Sequence, residues 1–232
     1  MLLLWKYFVL SFSALLPLIN PIGSGLIFLS LVGAAPISVY HSLARRIAIN
    51  TILFLAVIDL VGSAVLRFFG ISLPIVQVSG GLVIAAIAWS LLNQDSAELS
   101  PEKTRAAAQM QASDPVQADG VSRNLLQKTF YPFTFPITAG PGCIVVMLTL
   151  SAQTPQRPIS ENLIAHAGLL LAILLLCIAV YFSYAYAPRL AQRISPSTAH
   201  GILRVIAFIL LCIGVQIAWN GLSALLATVI KP

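Results

Sequence analysis

The chain alternates long uncharged runs with short polar turns. Tyr7 to Tyr40, Phe68 to Gln94, Thr129 to Gln156, Asn162 to Pro188 and Val205 to Ile230 carry no Asp, Glu, Lys or Arg. Ile47 to Leu66 is apolar apart from Asp59 and a few polar residues. Each run holds the ~20 residues that a helix needs to cross the hydrocarbon core. The turns fall at Pro36–Arg46, Arg67–Gly70, Pro155–Glu161 and Arg189–His200, and the pattern predicts six membrane-spanning helices. The first run is too long for the apolar core of a secretory signal and ends in no small-residue cleavage site, so it reads as a retained span.

One connection is long and polar. Gln94 to Lys128 collects most of the acidic residues, with Ala- and Gln-rich sequence between them. It reads as a solvated linker, with a surface helix around Pro101 to Met110. The expected organisation is therefore a first three-helix unit over residues 1–93, a cytoplasmic linker over 94–128 and a second three-helix unit over 129–232.

The first and fourth runs are interrupted in the same way. Pro17 to Gly25 reads P-L-I-N-P-I-G-S-G, and Pro132 to Gly142 reads P-F-T-F-P-I-T-A-G-P-G. Pro17, Pro21, Ile22 and Gly25 fall on Pro132, Pro136, Ile137 and Gly140 at an offset of 115 residues, about half the chain. Proline removes a backbone donor and clashes with the preceding turn, and glycine loosens the turn after it. A single proline often does no more than kink a membrane helix. Two breaks in corresponding places point instead to a transporter's binding site. Each break frees carbonyls upstream and amides downstream, and the downstream half-helix directs a partly positive end at the gap. That arrangement suits a zwitterion, with its carboxylate on amides and its ammonium on carbonyls. Asn20, Pro21, Gly23 and Gly25 in the first break, with Thr134, Thr138, Gly140 and Gly142 in the second, are the candidate substrate-binding residues.

Basic residues set the orientation. Arg45, Arg46, Lys103, Arg105, Arg123, Lys128, Arg189, Arg193 and Arg204 fall on one side, nine in all, against Lys6, Arg67, Arg157 and Lys231 on the other. The nine-residue side is expected in the cytoplasm, with both termini outside. Three helices is an odd number, so the second unit enters from the opposite face and the repeat is inverted. The fold class is thus all-α and integral to the membrane: six transmembrane helices as two inverted three-helix repeats, with helices 1 and 4 broken.

Composition narrows the function. Apolar residues make up 59% and charged ones 9%, whereas a soluble domain carries about 25% charged residues. The net charge of +6 is scattered through short loops, which argues against nucleic-acid binding. Cys143, Cys177 and Cys212 lie inside apolar runs, so neither a disulfide framework nor a metal site is expected. No cofactor motif, H-E-x-x-H or paired aspartate is visible, so an enzyme is not expected. Trp5, Trp89 and Trp219 fit aromatic belts near segment ends.

Among polar residues inside the runs, Asp59 is the sharpest. A carboxyl more than two helical turns from Arg67 is expensive in lipid and is a candidate for the coupling proton. The alternative is an aspartate linked to Arg67 near the outer interface. His166 reads as an interfacial histidine. Gln216 and Asn220 share a helix face and read chiefly as hydrogen-bonding partners for another helix.

The N-P-I-G stretch, F-G-I-S at Phe69–Ser72, the pair Gly80–Gly81 and P-x-T-x-G-P-G from Pro136 to Gly142 resemble the MarC family. The likeness runs through nearly the whole chain in order, except for the linker. It implies a six-helix bacterial inner-membrane protein of the neutral amino acid transporter class, carrying solutes such as glycine, alanine or serine and driven by protons. Gln77 stands where that family usually has arginine, and Ala207 where it often has glycine. Gln77-x-x-Gly80 and Arg204-x-x-Ala207 could then be one position in the two repeats, with small residues for close helix approach. The expected partners are a small neutral solute, the lipid bilayer and protons. The alternatives are an exporter of another small metabolite, or a channel or non-transporting membrane subunit.

Overall fold

The computed structural model describes residues 1–33, 35–93, 128–154, 158–193 and 196–230, and every regular element among them is helical. Helices α1 (Leu2–Ile19) and α2 (Pro21–Val32) run together as one candidate span of 31 residues, interrupted at Asn20. They are followed by α3 (Ile37–Phe68) and α4 (Leu73–Asn93). The second half begins with a wide-turn segment, Thr129–Thr138, which meets α5 (Pro141–Ala152) at 71°. Then come α6 (Ile159–Ala185), the short α7 (Ala187–Arg193) and α8 (Pro196–Ile230). Five stretches are long and apolar enough to cross a membrane, or six if the bent pair is one span. The linker over 94–127 and its Pro101–Met110 stretch lie outside the described residues.

Two expected turns are helical instead. Residues 37–46 belong to α3, and in the second stretch 189–193 belong to α7 and 196–200 to α8. The reason in the first case is packing. Tyr40, Leu43, Ala44, Ile47 and Ala48 recur at spacings of three and four and are buried, so one face of this charged stretch docks while His41, Arg45 and Arg46 leave the helix elsewhere.

Helix α6 lies at the centre. Ala165, Leu169, Ala172, Ile173, Leu176 and Val180 form a stripe with no exposed surface. The stripe packs on α1, α2 and α3, while Leu171, Leu174, Leu175 and Ile178 on the other face are exposed. That is the division expected of a helix between protein and lipid. Gly168 brings α1 close, because a Cβ there would sit 2.6 Å from the Leu4 carbonyl oxygen. The most extensive contact joins α4 to α8. Here Gly81, Gly214 and Gly221 place backbone against backbone, and no side chain at these positions separates the helices.

Candidate functional site

The first interruption is centred on Asn20, which adopts a left-handed conformation (φ 43°, ψ 71°). A residue before proline is pushed out of the helical region, and asparagine tolerates the left-handed one better than most residues. Its side-chain oxygen accepts a 3.1 Å hydrogen bond from the Gly23 amide and so caps α2. The Ser24 hydroxyl turns back to the carbonyls of Ile19 and Asn20. Ser183 on α6 donates to the Pro21 carbonyl. The glycines therefore serve close approach. A Cβ on Gly23 would run into the Asn20 side chain, and one on Gly25 would lie 2.6 Å from the Ser183 hydroxyl.

The second interruption is wider. Tyr131 and Phe135, each preceding a proline, are extended, and the peptide bonds into Pro132 and Pro136 are cis. Hydroxyl groups again take up freed carbonyls five residues back, as Ser24 does with Ile19. Thr134 donates to Thr129 at 2.8 Å and Thr138 to Phe133 at 2.7 Å, while the Ala139 amide reaches the Thr134 carbonyl. Gly140 and Pro141 then open α5 without a side-chain cap. Next to them Gly142 leaves room for Leu18 of the first unit, whose Cδ2 would be 2.6 Å from a Cβ there.

Tyr184 joins the two breaks. Its hydroxyl pairs with that of Thr138 at 2.8 Å and also interacts with the Ser24 side chain. Its ring stacks on Phe28 of α2, with centroids 4.5 Å apart and planes 11° apart. Phe28 meets Phe133 and Tyr40 edge-on at 5.3 and 5.8 Å. All of these side chains are buried. Asn20, Ser24, Thr138 and Tyr184 thus belong to one polar junction walled by aromatic rings. Thr134 is buried in the second break and is occupied with its own carbonyl partner.

Asp59 lies elsewhere, and its partner is His166 rather than Arg67. His166 Nδ1 is 2.9 Å from one carboxylate oxygen and 3.0 Å from the other. The Asp59 side chain has no exposed surface and that of His166 is 16% exposed. Ser151 donates to the Asp59 carbonyl, Thr154 lies 3.4 Å from His166 Nε2, and Asn162 donates to Thr154. Gln216 and Asn220, expected to bond another helix, bond each other at 2.9 Å on an exposed face of α8. Side chains four apart on one helix turn reach each other without a neighbour. Among the described residues no group of three His, Cys, Asp or Glu side chains is placed to hold a metal ion.

Ser24, Ser183, Tyr184 and the role of His166 were not identified in the sequence. Ser24 sits within the first motif and carried a signal, since a hydroxyl just past a break often returns to a freed carbonyl. The others gain their roles through contacts 46 to 162 residues apart, for which a local pattern holds no cue. Asn20 supports a direct prediction. Asn20→Ala should cost about 1 kcal/mol through loss of the cap, and Asn20→Gly only a few tenths because glycine keeps the left-handed turn. Thermal unfolding of both variants in bicelles measures the difference, and equal losses would remove the cap from the account.

The family described as "MarC family integral membrane protein" matches residues 5–226. The chain is 27% identical over 229 residues to the UPF0056 inner membrane protein MarC of Escherichia coli K12, and to that of Shigella flexneri, covering 98% of this chain and 99% of each relative. No solved structure matches.

Proposed function

This chain belongs to the MarC family of integral membrane proteins, and from that premise we propose a proton-coupled secondary transporter for small neutral amino acids such as glycine, alanine and serine. It is a multi-pass protein of the inner membrane with both termini outside, as the nine-to-four division of Lys and Arg favours. The observation that carries the reading is the Thr138–Tyr184 contact, because it brings the broken stretch of one half against a helix that also touches the break of the other.

Helix contacts support the inverted repeat. Taking α1–α2, α3 and α4 as counterparts of the Thr129–Ala152 stretch, α6 and α8, the main contacts between these elements are mirrored, although the contact of α2 with α7 has no counterpart. The first span packs on α6 as α3 packs on the fourth, and α4 meets α5 as α1 meets α8. The contacts of α3 with α6 and of α4 with α8 are their own counterparts. Such symmetry permits the two halves to exchange roles around a shared site.

The junction's chemistry favours a small solute without net charge. Its contacts are made by hydroxyl, amide and aromatic groups, and no charged side chain enters them among the described residues. Ile22 and Gly142 supply early amides of the downstream helices, at the positive ends that suit a carboxylate. The hydroxyls of Ser11 on α1 and Thr149 on α5 are buried without a hydrogen-bond partner. They lie on the two elements that lead away from the breaks, and would serve water or solute along that path.

Proteoliposome uptake of labelled glycine and alanine, with and without an imposed proton gradient, tests the proposal. Wild type should show saturable uptake that follows the gradient. Thr138→Val and Tyr184→Phe, which keep shape and remove one hydroxyl each, should reduce it tenfold or more while the proteins stay folded. Folded wild-type protein that carries neither amino acid would sink the substrate assignment. Flux without saturation or counterflow would make it a channel.

A further inference from the structure

We propose that His166 is a proton relay which passes a proton from the outer aqueous face to Asp59, making the pair a proton-binding site that bridges the two halves. The geometry assigns the two ring nitrogens different tasks. Nδ1 is directed at the carboxylate at 2.9 and 3.0 Å, while Nε2 lies on the side of Thr154 and Asn162. His166 retains 16% of its side-chain surface and Asp59 none, so of the two only the histidine is open to a proton from beyond the bundle. Imidazole takes up a proton at Nε2 and releases the one on Nδ1 to an Asp59 oxygen. One proton enters and one leaves the ring, and the carboxylate becomes a neutral acid. Histidine is suited to this because it exchanges protons near neutral pH through both nitrogens.

The setting links proton occupancy to shape. Asp59 is on α3 of the first half and His166 on α6 of the second. Protonating the ring adds a carboxylate–imidazolium attraction between these helices, and passing the proton on to the carboxylate removes it. Ser151 ties the end of α5 to the backbone of Asp59, so the fourth span shares the same joint. Among the described residues, the other titratable groups at this end are the Met1 amine, Lys6 and Tyr7 on α1, Glu161 in the first turn of α6 and Arg67 in the last turn of α3. His41, Arg45 and Arg46 occupy the opposite end of α3. The proton site itself stands apart from the transporter reading, while its coupling to uptake rests on that reading.

Nitrogen-15 spectra of histidine-labelled protein in lipid bilayers, recorded from pH 5 to 9, test the site directly. Loss of one signal in His166→Gln distinguishes His166 from His41 and His200. The His166 ring should titrate in wild type and in Asp59→Glu, which retains the carboxylate. In Asp59→Asn its proton affinity should fall at least tenfold, because the imidazolium loses its counter-charge. A ring that does not titrate, or one whose midpoint is the same in Asp59→Asn, overturns the proposal. Comparing wild type with Asp59→Glu and His166→Gln keeps the test decisive if Asp59→Asn does not fold. In proteoliposomes, His166→Gln should lose the dependence of uptake on the gradient but keep gradient-free counterflow. If wild type titrates yet shows no counterflow, the transporter reading fails and the proton site stands.

Discussion

Gly81→Leu should leave no folded bundle in the membrane. A Cβ at Gly81 would collide with the Ala218 amide nitrogen and lie 2.8 Å from the Ala218 Cα. These atoms belong to the backbone of α8 and cannot turn aside as a side chain would. Gly214 is held equally tightly from the other helix: a Cβ there would lie 2.6 Å from the Ala85 nitrogen and 2.8 Å from the Gly81 oxygen. A larger residue must therefore push α4 and α8 apart along the most extensive helix contact of the protein. Overpacking costs about 1–3 kcal/mol where side chains can shift, and more is expected where they cannot. In lipid no gain in water exclusion offsets the lost close packing. The control is Gly201, around which a Cβ would find nothing within 4 Å. Gly201→Ala should be neutral or gain up to about 1 kcal/mol of helix propensity, whereas Gly81→Ala should already destabilise. Size-exclusion profiles and unfolding curves in bicelles compare the pair. A monodisperse Gly81→Leu protein with wild-type stability would contradict the packing described for these helices.

Phe28→Ala carries the second large effect, and it joins stability to function. Phe28 has no exposed surface and touches three rings, Tyr40, Phe133 and Tyr184, from three elements. Truncating a buried phenylalanine costs about 3–5 kcal/mol in soluble proteins. Part of that cost is transfer from water, so the lower end, about 3 kcal/mol, is the expectation here. The Tyr184 ring loses the face on which it stacks, and its hydroxyl is then no longer fixed toward Thr138. Uptake should fall further than in Tyr184→Phe, which removes the hydroxyl and keeps the stack. A loss below about 1 kcal/mol would show that the ring cluster can close around the gap.

The two proline–glycine stretches announced the junction because proline acts on its own backbone wherever the chain goes. Asn20 and Phe135, each immediately before the second proline of its motif, leave helical geometry, as does Tyr131 before Pro132. Helical runs were legible for the same local reason, since lipid leaves the backbone few other forms. Their ends were less so. Residues 37–46 look like a turn by charge but are helical because Tyr40, Leu43 and Ala44 dock. Asp59 was legible as costly, but its partner was not. Proximity in sequence favoured Arg67, and the fold supplied His166 from 107 residues away. Tyr184 was one tyrosine among several at a segment end until tertiary contacts brought it to both breaks.

Helix α6 is continuous from Ile159 to Ala185, while α1 and α2 beside it are separated at Asn20 and the Thr129–Thr138 segment meets α5 at 71°. It carries His166 near one end and Tyr184 near the other. Eighteen residues of helix put these side chains about 27 Å apart along its axis. A stiff rod of this kind is a lever. Tilting by about 15° around its midpoint, a typical rigid-body rotation, would swing the two ends about 3–4 Å in opposite directions. That exceeds the tolerance of a hydrogen bond at either end. The grip on Asp59 and the grip on Thr138 are thus mechanically joined, and neither can be loosened by such a tilt without moving the other.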